Sequence, residues 1–132
     1  DLLRETTATG DFDPWVRFFA EAVRAEASTA RSRISALIEY RTNTVNQLRR
    51  AGLRGTVIEI AEQLVERPVV TPTAVARVFG VRYQTANRAI SQLVHEGIIE
   101  EATGRTYGRI FVAREVLRLL RLGAAQSAVG RE

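Results

Sequence analysis

The sequence predicts a mainly α chain with one small β-hairpin, in which a long helical arm precedes a compact unit of short helices. Three observations predict it. Apolar residues recur at three- and four-residue steps from Trp15 to Leu48, which is helical periodicity sustained over an unusual length. Asp13-Pro14 and Thr71-Pro72 each place a side-chain acceptor ahead of proline, a helix start in which the missing proline N–H costs nothing. Two short apolar stretches flank the polar, twice-glycine "ATGRTYG", the pattern of paired strands around a loop.

Residues 1–12 carry Thr, Gly and charge without a period and read as an irregular lead-in. From Asp13 the helical stripe of Trp15, Phe18, Phe19, Val23, Ile34, Leu37 and Leu48 runs to about Ala51, where Gly52 ends it. Ser28, Thr29, Ser32 and Ser35 are moderate helix formers, so a bend near them stays open. Arg54 to Glu66 predicts a second helix, stopped by Pro68. Val69-Val70 is long enough only for a short extended piece. A third helix follows from Thr71 to Phe79, and a fourth from Tyr83 to His95, closed by Gly97. The joint "FGVR" has helix-turn-helix spacing. Ile98–Glu101 and Arg109–Val112 then form the hairpin, so helix, helix-turn-helix and hairpin together describe a winged helix. A closing helix spans Ala113 to Leu122. The resulting division is an arm over 1–52, a winged helix-turn-helix domain over 53–122 and a frayed tail over 123–132.

Bulk properties narrow the function. With 132 residues and 45% apolar content the chain can bury one core, and a large enzyme does not fit. There is no cysteine and a single histidine, which removes disulfides and argues against zinc. No apolar run approaches the ~20 residues of a membrane span, so the expectation is a soluble, cytoplasmic protein without a membrane partner. Starting on Asp1 and holding no methionine, the chain is expected to be a piece of a longer one. Residues 1–68 hold 10 Arg against 10 acidic residues and residues 69–132 hold 9 against 5, so the net charge of +4 lies entirely in the second half. That segregation points to an anionic partner there, double-stranded DNA above all.

Within the fourth helix, Tyr83, Ala86, Ala89, Ile90, Leu93 and Val94 gather toward the core at ~100° per residue. Gln84, Thr85, Arg88, Ser91 and Gln92 fall opposite, with Asn87 at the border. Arg, Gln and Thr at the start of such a helix are the side chains that reach base edges or phosphate. Arg82 in the turn, and Arg105, Thr106, Tyr107 and Arg109 around the hairpin tip, are the expected backbone contacts. No acidic residue occurs from Thr71 to His95 or from Ala102 to Ile110. Glu96, Glu100 and Glu101 lie between the two stretches and would weaken groove contact if they pointed the same way. The alternative is that these arginines are simply solvated and the unit joins proteins. Trp15, Phe18, Phe19, Ile34 and Leu37 form a second candidate surface, which either packs on parts of the same domain or pairs with a second copy. No phosphate loop, H-E-x-x-H or dinucleotide fingerprint occurs, and His95 reads as a helix end favourable to the dipole.

The pieces "DPW..FF", "ERPVVT", "TANRAI..L...GI" and "R.FVARE", spread over Asp11 to Leu120, resemble the C-terminal part of Fic-domain proteins that carry a winged helix behind the Fic core. The resemblance implies a parent that transfers AMP from ATP to target hydroxyls, with ATP and magnesium held by a core whose loop reads H-P-F-x-x-G-N-G-R. That loop is not in this sequence: His95 is followed by Glu-Gly-Ile, and at Glu96-Gly97 Gln92 stands where the family's inhibitory helix needs Ser or Thr. This piece is therefore expected to carry no cofactor and no AMP transfer of its own, and the missing core is one candidate to cover the arm. The family pattern commonly caps the recognition helix with Ser. Arg82 replaces it, losing a cap of about 1 kcal/mol and setting a cation where the helix dipole disfavours one.

Overall fold

The computed structural model describes residues 13–129, with side chains described up to Arg121. The expected lead-in over 1–12 and the last three residues of the tail lie outside that range. Helix α1 (Asp13–Arg50) is a single 38-residue helix, about 57 Å long at ~1.5 Å per residue. The Ser/Thr-rich stretch does not break it. Thr29 satisfies its hydroxyl within the helix by donating to the Ala25 carbonyl at 3.1 Å. Asp13 in the first turn and Arg49 and Arg50 in the last match the helix dipole.

Helix α2 (Thr56–Gln63) is shorter at both ends than the predicted 54–66. Gly55, at φ +81°, lies outside helical space, and residues 64–66 tighten into turns before Pro68, in which the Leu64 and Glu66 N–H groups reach back three residues. Strand β1 (Val69–Val70) follows. Helix α3 (Pro72–Phe79) starts as predicted, with the Thr71 hydroxyl accepting the Ala74 N–H at 3.2 Å and Pro72 buried in the first turn. At Gly80 the chain turns left-handed (φ +64°), which lets Val81 N–H reach the Ala76 carbonyl and points Val81 into the core. Helix α4 (Tyr83–His95) has the predicted bounds. Its end is a second left-handed glycine, Gly97, with Ile98 N–H bonded to the Leu93 carbonyl and Ile98 packed inward.

Strands β2 (Glu100–Glu101) and β3 (Phe111–Val112) are two residues each, shorter than the expected Ile98–Glu101 and Arg109–Val112. They pair antiparallel, with Glu101 opposite Phe111. Val69-Val70 also joins as an edge, giving a three-stranded antiparallel sheet in the order β1-β3-β2. Helix α5 (Arg114–Val129) corrects the expectation of a frayed tail after Leu122, since residues 123–129 remain helical. Ala124, Ala125, Gln126 and Ala128 favour that state, and a single Gly123 costs only about 1 kcal/mol against them.

One core holds these elements together. Leu48 from α1, Val57 and Ile60 from α2, Leu64 just beyond it, Ile90 and Leu93 from α4, and Val116 from α5 are all fully buried. Each large aliphatic contributes roughly 1.5–3 kcal/mol by leaving water. Helix α1 enters this core only through its C-terminal part, where it packs on α2 and α5 and buries Thr44, Val45 and Leu48. Every described residue from Asp13 to Ser28 is exposed. Of the five apolar arm residues singled out in the sequence, Leu37 packs against the core, while Trp15, Phe18, Phe19 and Ile34 do not. Trp15 and Phe19 instead stack on each other, with centroids 5.6 Å apart.

Candidate nucleic-acid interface

Helix α4 is oriented by four buried residues, Ala86, Ala89, Ile90 and Leu93. At ~100° per residue they span an arc of about 100°, and the opposite arc carries Gln84, Thr85, Arg88 and Ser91, all exposed. Two expected core positions sit outside the buried arc: Tyr83 is 55% exposed and Val94 39%. Both lie at its edge, where the facing elements no longer reach. Asn87 is half-buried at the border, as the periodicity predicts, and Gln92 is half-buried as well. Ser91 donates its hydroxyl to the Asn87 carbonyl at 2.9 Å, so that donor is engaged within the helix.

Arg82 occupies the N-cap position in extended conformation and makes no side-chain cap bond. It is exposed beside Gln84 and Thr85. Among the described residues, Arg82, Arg88 and Arg105 form no ion pair. Three cations thus face solvent without local neutralisation, two of them on α4 or in its turn.

The loop between β2 and β3 holds the third. Gly104 and Gly108, at φ +62° and +64°, bracket Arg105, Thr106 and Tyr107. All three are exposed, Tyr107 by 87%. Arg109, grouped with them in the sequence, is differently placed. Its Nε and Nη2 donate to the two carboxylate oxygens of Glu101 at 3.0 and 2.8 Å, and its guanidinium lies 5.1 Å from the centre of the Phe111 ring. The hydrogen-bonded guanidinium beside Glu101 holds that carboxyl below the usual carboxylate range, and the carboxylate in turn raises the Arg109 pKa.

Two of the three acidic residues between helix and hairpin are ion-paired, Glu101 with Arg109 and Glu100 with Arg114. Glu96 is half-buried, and its backbone carbonyl accepts from the Gln47 side chain at 2.9 Å. The opposition they pose to a polyanion is therefore smaller than the sequence suggests. His95 is exposed at the end of α4, beside a shallow cleft shared with Leu53, Arg88 and Gln92.

Among the described residues no group of three or more His, Cys, Asp or Glu side chains is arranged to hold a metal ion. No described helix is long and apolar enough to cross a membrane. Set against protein-family models and curated proteins, the chain matches none.

Two features of the site escaped the sequence reading. One is the Glu101–Arg109 pair, which depends on strand register. In an antiparallel ladder opposed residues share a face and so do residues two apart, so with Glu101 opposite Phe111, Arg109 becomes the diagonal neighbour of Glu101. The other is the third strand: β1 pins β3 from the side away from β2.

Proposed function

We propose that residues 53–122 act as a winged helix-turn-helix that binds duplex DNA, with α4 in the major groove and the 102–109 loop on the backbone. The observation that carries this reading is the exposed, acid-free surface of Arg82, Gln84, Thr85 and Arg88 at the start of α4. Loop residues Arg105 to Tyr107 supply a second cationic point. The short helix pair joined at Gly80 and the β1-β3-β2 sheet suit this reading. On the resemblance in sequence, the module belongs to a cytoplasmic Fic-like protein whose AMP-transferring core, with its ATP and magnesium, lies outside this chain. The module would direct that enzyme to DNA or regulate its transcription.

The test is a titration of labelled duplex DNA at increasing salt. Three to five phosphate contacts give a fall of log K with log salt of slope roughly −3 to −4. No binding at low salt removes the reading. An assay of ATP-dependent AMP transfer by this chain is expected to give none, and measurable transfer would contradict the division of roles.

A second reading is favoured by one observation, the exposed Trp15, Phe18, Phe19 and Val23 on the free half of α1. Apolar side chains on one stripe are costly in water and mark a contact surface. In that reading the chain is a protein-interaction or dimerisation module, its arm covered by the missing core or by a second copy. Arg82→Ala and Arg88→Ala would then leave DNA binding unaffected.

A further inference from the structure

The geometry points to Arg109 as a positioning residue and not a DNA contact: clamped by Glu101, it holds the 102–109 loop so that Arg105 presents its charge to a phosphate. The inference rests on the DNA reading proposed above and names which loop cation carries the contact.

Two observations support it. First, the Arg109 guanidinium is already committed. Two of its N–H groups go to both oxygens of Glu101, and its face lies over Phe111, a ring buried in the core. Turning it toward a phosphate would break a bidentate pair and leave a carboxylate beside the polyanion. Second, the clamp closes the base of the loop. Beside the Glu101–Arg109 pair, the Thr103 oxygen accepts the Ile110 N–H at 3.2 Å, and the Ala102 N–H reaches the Ile110 carbonyl at 2.8 Å. The two limbs that carry Arg105 are thus tied together at their base, while the Arg105 side chain is exposed at the tip.

The two roles predict opposite outcomes for one substitution. Glu101→Gln removes a negative charge from the surface. Were Arg109 a phosphate contact masked by Glu101, the substitution would release it and duplex DNA would bind more tightly. With Arg109 as positioning residue, the loop loosens and binding weakens despite the gain of one positive charge, by roughly fivefold for a lost charge-assisted contact. The salt slope shrinks by about 0.9 for one lost phosphate. Arg105→Ala should show the same loss, and the double variant Arg105→Ala/Glu101→Gln little more than either alone.

The experiment is a titration of a duplex of two helical turns with wild type and these three variants. It is joined to amide hydrogen exchange of Ile110 without DNA, whose N–H bonds across the loop to the Thr103 oxygen, with thermal melts confirming that each variant is folded. In the exchange arm, Glu101→Gln is expected to lower protection of the Ile110 amide about tenfold. Unchanged or tighter DNA binding by Glu101→Gln overturns the inference, as does unchanged Ile110 protection. Absence of binding by the wild type removes the DNA reading and the contact role of Arg105 with it, and the exchange arm alone then decides whether the clamp exists.

Discussion

On the DNA reading proposed above, Arg82 and Arg88 would take different tasks. Arg88 projects from the middle of the exposed arc of α4, where a guanidinium can meet a guanine edge with two parallel hydrogen bonds. Arg88→Ala should therefore cost about 1–3 kcal/mol of binding and relax preference at one base pair, measured by competition among duplexes altered one position at a time. Arg82 stands before the helix and should contribute uniformly across sequences. Glu101 adds a pH dependence whose sign follows from its pairing. Its folded-state pKa is depressed by Arg109, so its stabilising contribution is present above the ordinary carboxylate range (~4.3) and is lost as pH falls through the lower folded value. Melts of wild type and Glu101→Gln should differ most at neutral pH and converge in acid. That Arg109 belongs with Glu101 was not legible from residue types, because Arg105 and Arg109 look alike until register is known. The exposed set of Gln84, Thr85 and Arg88 was legible, because helical periodicity alone separates them from Ala86, Ile90 and Leu93.

At the scale of elements, α4 depends on its anchors and its ends. Leu93 is fully buried, so Leu93→Ala should destabilise by about 2–5 kcal/mol and lower duplex affinity by misplacing the helix. Position 82 opposes stability and binding to each other. Arg82→Ser supplies the missing cap and should stabilise by about 1 kcal/mol, raising the melting temperature, while weakening DNA binding and reducing the salt slope by about 0.9. A loss of stability would show that the N-terminus of α4 is satisfied in another way. The bounds of α3 and α4 were readable because capping Thr71, Pro72, Gly80 and Gly97 act locally. The short extent of α2, β2 and β3 was not, because Gly55 and the polar loop stop pairing sooner than apolar patterning implies. The length of α5 ran past its apolar stripe on alanine propensity. The pairing of Val69-Val70 with β3 joins residues some forty positions apart, and no local signal encodes it.

At the scale of the whole molecule, the chain divides between a packed unit and a helix that leaves it. Only the C-terminal part of α1 is held, and the stacked Trp15–Phe19 pair lies on the free half with Phe18 and Val23. Phe19→Asp should leave the melting temperature nearly unchanged, because Phe19 touches no part of the core. If the second reading holds, that substitution also shifts the mass measured by light scattering from an assembly to a monomer. Leu48→Asp, by contrast, should unfold the protein, since Leu48 is fully buried and a buried unpaired charge is strongly destabilising. The long helix itself was legible from periodicity. Which part of it is covered was not, because the same apolar stripe continues from the packed end to the free one.

Whether the start of α4 and the 102–109 loop together meet duplex DNA is tested most directly by a map of backbone amide shifts on adding a duplex. Perturbations concentrated at Arg82 to Arg88 and Gly104 to Gly108, fading as salt rises, are the predicted result. Unchanged spectra, or shifts confined to Trp15 to Val23, would contradict it.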